Sequence, residues 1–193
     1  MKICFATHNQ NKLKEIKALL PERLELISLS DIDLTEEIPE TGSTLEENSR
    51  IKAEHIYLNY GIPVFADDTG LEVNALNGEP GVYSARYAGG QRSDQDNMSL
   101  LLKNLDQKQD RSALFKTVIT LITDKEDIQF TGVCEGRIAY AKAGDQGFGY
   151  DPIFIPENSS LTFAQMNMDQ KNAISHRKRA FEKLIVYLQL HYR

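Results

Sequence analysis

The sequence predicts an α/β fold, and three observations lead there. Short apolar, strand-like runs alternate with amphipathic helix-length stretches through the first half of the chain. Two long β-branched runs, residues 113–123 and 128–140, meet across the polar turn Asp124-Lys125-Glu126-Asp127, the pattern of an antiparallel hairpin. The last stretch, about residues 176–190, places Ala180, Phe181, Leu184, Ile185 and Leu188 at helical spacing. The 193 residues are 41% hydrophobic and 26% charged, which is enough apolar material for a real core. No linker rich in Pro, Gly or Ser interrupts them, so residues 1–193 read as a single domain.

Residues 2–6 form the first strand in this reading. The polar segment Thr7-His8-Asn9-Gln10-Asn11-Lys12 follows, then a helix over about residues 13–20 with Leu13, Ile16, Ala18, Leu19 and Leu20 on its apolar side. A polar loop running into a helix N-terminus suits an anion, because free backbone N–H groups and the positive end of the helix dipole point into it. Plain helix capping by Asn9 or Asn11 accounts for the same residues. Residues 24–29 read as a second strand, followed by an acidic loop ending in Glu40-Thr41-Gly42. A helix then begins at a capping box, Ser43 with Glu46 or Thr44 with Glu47, and closes at Gly61. Asn48 and Lys52, four residues apart, share one of its faces.

The apolar run Pro63-Val64-Phe65-Ala66 ends in Asp67-Asp68-Thr69-Gly70. Unpaired carboxylates are costly inside a sheet, so the pair is expected where the strand opens, with Gly70 permitting a sharp turn. Alternation along a strand sends the two carboxylates to opposite faces, one toward a ligand and one bracing the loop. A strand closing in a solvated acidic turn explains the four residues equally well. Residues 71–76 then read as a further strand, 77–81 as a turn and 83–89 as a loop. Ser93 caps a helix through Leu105, and the glycine-rich Gly147-Phe148-Gly149-Tyr150-Asp151 precedes a strand over residues 152–155.

Several classes are disfavoured at this point. A formal charge of −6 does not suit an extended nucleic-acid surface, though it allows a small anionic ligand held by a few cations. No run approaches the roughly 18 apolar residues of a membrane span, and the N-terminus enters the first strand without a signal-peptide core, so no membrane partner and a cytoplasmic location are expected. Cys4 and Cys134 stand far apart in strand-like runs and read as buried free thiols.

Together the motifs resemble the Ham1/inosine triphosphatase family of noncanonical purine nucleoside triphosphate pyrophosphatases, in its bacterial dITP/XTP branch. The pieces are Thr7-x-Asn9-x-x-Lys12, Glu40-Thr41-Gly42, Glu47-Asn48-x-x-x-Lys52-Ala53, Asp67-Asp68-Thr69-Gly70-Leu71, Gly78-x-Pro80-Gly81-x-Tyr83-Ser84-Ala85-Arg86-Tyr87, Phe148-Gly149-Tyr150-Asp151 and Ser175-His176-Arg177. They fall in family order from the first strand to the last helix. Thr69 stands where bacterial members often carry Ser, and Ser49 where Ala is common.

The resemblance implies a mixed, strongly twisted sheet flanked by helices, two lobes around a deep cleft, and a homodimer. It implies Mg²⁺-dependent hydrolysis of ITP, dITP and XTP to the monophosphate and pyrophosphate, which keeps these bases out of DNA and RNA. Carried onto this chain, Asp68 accepts a proton and binds metal beside Glu40. Residues Thr7, His8, Asn9, Gln10, Asn11 and Lys12, with Lys52 and Thr69, hold phosphates. Phe148, Gly149, Tyr150, Asp151, Lys171, His176 and Arg177 hold the nucleoside end. The residue chemistry is compatible: two carboxylates suit Mg²⁺, and either Asp68 or Asp67 can orient a water. Phe148 offers a stacking face, and His176, Arg177 and the backbone N–H groups near it offer donors to a six-carbonyl. A nucleotide sensor without chemistry needs the phosphate and base residues but not the two metal-reaching carboxylates. A pyrophosphatase for another damaged nucleotide is the remaining reading, and the base-side residues speak against it.

Overall fold

The computed structural model describes residues 2–17, 20 and 22–192, without the side chains of Gln10, Asn11, Lys14 and Glu15. Its first strand, β1 (Lys2–Phe5), pairs in parallel with β2 (Glu25–Ser28) and β3 (Val64–Val73), with Phe5 opposite both Ser28 and Phe65. Parallel neighbours need crossover connections. Helices α1 (Gln10–Lys17) and α2 (Leu45–Tyr60) lie in those crossovers. The sheet continues through β5 (Ser112–Ile122), β6 (Asp127–Ile138) and β7 (Phe154–Pro156), in the order β2-β1-β3-β5-β6-β7, with β4 (Pro80–Gly81) on β3. The β3–β4 and β6–β7 pairs are antiparallel, so the sheet is mixed as expected. Helices α3 (Asp94–Asn104), α4 (Met168–Ile174) and α5 (His176–His191) complete the set.

The chain divides into two compact units. The first comprises Met1–Asp68, Thr117–Thr131 and Arg179–Arg193. Here β1 is apolar on both faces, as a parallel strand covered on both sides must be. Ile3 and Phe5 join Phe65, Ile119, Phe181, Leu184 and Leu188 on one face. Cys4 and Ala6 join Ile27, Ala53, Ile56 and Val64 on the other. Phe5 stacks on Phe65 at 4.5 Å between ring centres, with Phe181 edge-on to both. The Cys4 thiol, buried and facing the charge of Asp31, is pushed up to about 12, so it is inert as a nucleophile. The second unit comprises Thr69–Lys116 and Gly132–Lys178. Phe115, Phe154 and Phe163 centre its core, with Leu71, Val73, Met98 and Leu101 around them. The buried Arg111 guanidinium donates to the carbonyls of Leu105, Ile138 and Ala139, an arrangement no sequence pattern announced.

Several expected boundaries shift. The acidic pair does not end a strand: β3 runs unbroken through Asp67, Asp68, Thr69 and Gly70 to Val73. Gly70 therefore makes no turn, and residues 74–76 form a 3₁₀ turn where strand was expected. Carboxylates mid-strand looked too costly, but the cost falls when cations meet them, and here they do. Helix α1 starts three residues earlier than the apolar spacing suggested, with Leu13 and Ile16 buried. Ala18 and Leu19, also expected on its apolar side, lie outside the described residues. Residues 151–153 form a 3₁₀ turn, so the strand after them is shorter than expected. Helix α4 was missed, although Asn167 and Gln170 form a capping box at its start.

At α2 the capping residue is Thr44, whose hydroxyl accepts from the Glu47 N–H at 3.1 Å. The Glu47 carboxylate reaches back to the N–H and hydroxyl of Ser43, which hold it below the usual carboxylate range. Thr44→Ala removes that cap and is expected to cost about 1 kcal/mol. Chemical denaturation checks this, with a lowered midpoint and an unchanged slope as the expected outcome.

Candidate active site

One face of α2 organises the first unit's polar centre. Asn48 is fully buried and its Oδ1 accepts from the Gly42 N–H at 2.8 Å. One turn on, Lys52 Nζ donates to Glu40 Oε1 at 2.7 Å. The two helix residues thus grip both ends of Glu40-Thr41-Gly42. Gly42 is required by space: a Cβ there would lie 2.6 Å from Glu47 Cβ and 2.8 Å from Asn48 Oδ1.

The carboxylates of β3 meet two different lysines. Asp67 is 4% exposed, and Lys12 Nζ from α1 donates to its two oxygens at 2.9 and 2.7 Å. Asp68 faces Lys52 instead, with Oδ1 3.6 Å from Nζ. Strand alternation, expected from the sequence, makes this separation possible. Thr69 follows, half-buried. Burial alone would lower the Lys52 pKa, but Asp68, Asp67 and Glu40 outweigh it and raise it above the ordinary value. Lys52 is therefore charged throughout the neutral range.

The segment before α1 is internally tied. Thr7 Oγ1 accepts from the Asn9 N–H and Asn9 Oδ1 accepts from the Lys12 N–H, both at 3.2 Å. Asn9 is thus the residue that caps α1. His8 is exposed, with Nε2 3.2 Å from the Glu36 carbonyl. The side chains of Gln10 and Asn11 lie outside the described part.

The second unit assembles the other expected residues around an aromatic ring. Phe148 is 63% exposed on the glycine-rich turn. Lys171 Nζ lies 5.1 Å and Arg177 Cζ 5.7 Å from its ring centre, both within cation–π range. Asp151 is buried, accepts from the Phe148 N–H at 2.8 Å and forms an ion pair with Lys171. Gly149 donates its N–H to Asp94 Oδ2 at 2.7 Å. Two backbone donors expected to face a ligand are therefore occupied, one by the turn's own Asp151 and one by Asp94 of α3. Tyr150 is in the core, its hydroxyl donating to the Ser84 carbonyl and its pKa raised by burial. His176 is also buried, stacked on Phe115 at 4.7 Å. Among the described residues nothing accepts from the buried Nε of Arg177.

Glu40 and Asp68 bring two carboxylates to one lysine, Lys52. Among the described residues no cluster of three His, Cys, Asp or Glu could hold a metal. This donor set fits Mg²⁺, which takes one or two carboxylates and completes its shell with water and substrate phosphate.

The Ham1 family model matches residues 3–187. This chain belongs to the Ham1 family. Among its relatives, the dITP/XTP pyrophosphatase of Christiangramia forsetii is 53% identical over 188 residues, covering 97% of this chain and 99% of that protein. That of Porphyromonas gingivalis is 48% identical, with 97% of each covered. The solved Staphylococcus aureus Ham1 protein superposes with a TM-score of 0.94 at 43% identity, covering 98% of both chains. The HAM1 protein from Coxiella burnetii gives 0.94 at 40% identity, covering 98% of this chain and 99% of that one. The Ham1 fold anticipated from the motifs is therefore the fold observed. No helix among the described residues is long and apolar enough to cross a membrane.

Gly42→Ala must displace the Glu40 arm or α2, and is expected to destabilise by about 1–3 kcal/mol as overpacking does. Gly90→Ala is the comparison, since nothing lies within 4 Å of a Cβ there. Thermal unfolding of the two variants checks the contrast.

Proposed function

We propose that this chain is a Mg²⁺-dependent pyrophosphatase that converts dITP, XTP and ITP to the monophosphate and pyrophosphate, clearing these nucleotides from the pool. The observation that carries the reading is the meeting of Glu40 and Asp68 at Lys52 in a Ham1-family chain. In this reading residues 1–193 work as one domain, as a homodimer in the cytoplasm, on nucleotide rather than nucleic-acid polymer.

Lys12, Lys52 and the residues 7–11 take the triphosphate, whose roughly four negative charges need cations. Glu40 and Asp68 hold Mg²⁺, which when bound neutralises phosphate charge and makes a nearby water more acidic. Asp68 takes the proton of the attacking water as the water oxygen bonds to the α-phosphorus, and the bond from that phosphorus to the α–β bridging oxygen breaks to release pyrophosphate. Asp67 is already committed through both oxygens to Lys12, which favours Asp68 as the acceptor. Lys52, kept charged by the surrounding carboxylates, stays with the phosphates as negative charge builds. Thr69 offers its hydroxyl to the same group.

At the nucleoside end the exposed Phe148 ring stacks on the purine. Lys171 and Arg177, on the flanking helices, present donors to a six-carbonyl, and the unsatisfied Arg177 Nε supports its part. Adenine carries an amino group at that position and would leave such donors unpaired, which selects by about 10⁴ or more. Gly149, Tyr150, Asp151 and His176 shape this end through the turn and the core.

Asp68→Asn is expected to lower kcat by about 10²–10⁴-fold, as loss of a general base does. Glu40→Gln should chiefly raise the Mg²⁺ concentration needed for half-maximal rate. Pyrophosphate release from dITP and XTP over a Mg²⁺ titration checks both, and near-normal turnover in folded Asp68→Asn protein would sink the assignment.

Arg177→Ala should shrink the ITP-over-ATP ratio of kcat/KM, mainly by losing ITP. An unchanged ratio in the folded variant shows that Arg177 does not read the base.

A further inference from the structure

An exposed aromatic ring has few contacts to fix its orientation. Phe148 is 63% exposed, and the ring neighbours recorded for it are the two flexible cations Lys171 and Arg177. Its direction has to be set through its backbone. Two successive amides are held from opposite sides of the sequence: the Phe148 N–H by Asp151 at 2.8 Å, and the Gly149 N–H by Asp94 at 2.7 Å. Together these bonds fix the two peptide planes that flank the ring, the Asp94 bond holding the one that follows it.

Asp151 is part of the same turn. A Cβ on Gly147, at φ +78, would sit 2.1 Å from its carboxylate, so this contact is local and tight. Asp94 is not local; it lies 55 residues away at the first position of α3. That end of α3 is rigid. Ser93 caps it by accepting from the Asp96 N–H at 3.2 Å. Asn97, 2% exposed, accepts from the Ala88 N–H and donates to the Ser84 and Ala85 carbonyls. Met98 and Leu101 anchor the next turn in the core.

We propose that Asp94 is a positioning residue for the base: it ties the Phe148 turn to α3 and so holds the ring in the plane that a purine stacks on. The proposal rests on the pyrophosphatase reading for its ligand but not for its geometry. A hydrogen bond donated by a backbone N–H to a carboxylate is charge-assisted and roughly twice as strong as a neutral one. Loss of it frees the ring without touching phosphate or metal ligands. The cost therefore falls on nucleoside recognition and leaves the phosphate end as it was.

The chain contains no Trp, so Phe148→Trp supplies a single indole at the ring itself, excited selectively beyond the absorption of the eight tyrosines. In that background Asp94→Ala should lower the steady-state anisotropy and increase acrylamide quenching. Asp94→Asn, which keeps an acceptor oxygen, should restore both toward the parent. In the chain with Phe148, Asp94→Ala should raise KM for dITP about tenfold with kcat within about twofold. The inhibition constant of inorganic tripolyphosphate, which has no base, should stay unchanged. Unchanged anisotropy and KM overturn the proposal. A parallel rise in KM and in the tripolyphosphate constant also overturns it, because it marks general loosening. A parent chain that releases no pyrophosphate from dITP or XTP overturns the proposed activity instead, and the anisotropy comparison still decides whether Asp94 holds the turn.

Discussion

Two adjacent carboxylates in the middle of an internal strand are the constraint on which the first unit is built. Strand β3 lies between β1 and β5, so Asp67 and Asp68 cannot escape to solvent by fraying. Each needs a cation delivered from outside the sheet. Helix α1 delivers Lys12 to Asp67, and helix α2 delivers Lys52 to Asp68. The two crossovers that parallel pairing requires therefore also serve the charges that the strand introduces. The loop bearing Glu40 is drawn in by the same Lys52, and Asn48 clamps its far end. Removing one cation would leave a buried carboxylate uncompensated, which is more damaging than losing the pair altogether.

The second unit solves a different problem, that of keeping an aromatic ring in water. Its core of phenylalanines is closed by Phe115, Phe154 and Phe163, while Phe148 stays outside it. The turn that carries Phe148 is rigid because its amide groups are satisfied by carboxylates instead of solvent. His176 and Tyr150, next in sequence to Arg177 and Gly149, are buried instead.

Periodicity made most of the elements legible. The apolar positions of α5, the Thr44 and Ser93 caps and the long hairpin all follow local rules that a single sequence displays. The continuity of β3 was not legible, because a rule about unpaired carboxylates was applied where partners 55 and 16 residues away, Lys12 and Lys52, pair them. Helix α4 was hidden by its length, though Asn167 and Gln170 marked its start. On the functional side, the motifs named Glu40, Lys52, Asp68, Phe148, Lys171 and Arg177, and the structure brings these together within each unit. The motifs did not name Asp94 or Arg111, whose partners are backbone atoms distant in sequence and leave no pattern of side chains to read.

The lysine–carboxylate cluster has an electrostatic consequence. Three carboxylates, Asp67, Asp68 and Glu40, face two ammonium groups, Lys12 and Lys52. These five groups by themselves carry an excess of negative charge in a chain whose formal charge is also negative, −6. A bare polyanion approaching them meets repulsion at short range, where screening by salt is weak. A polyanion already partly neutralised does not. The first filter such a cluster applies is thus the charge state of its visitor, ahead of any test of shape.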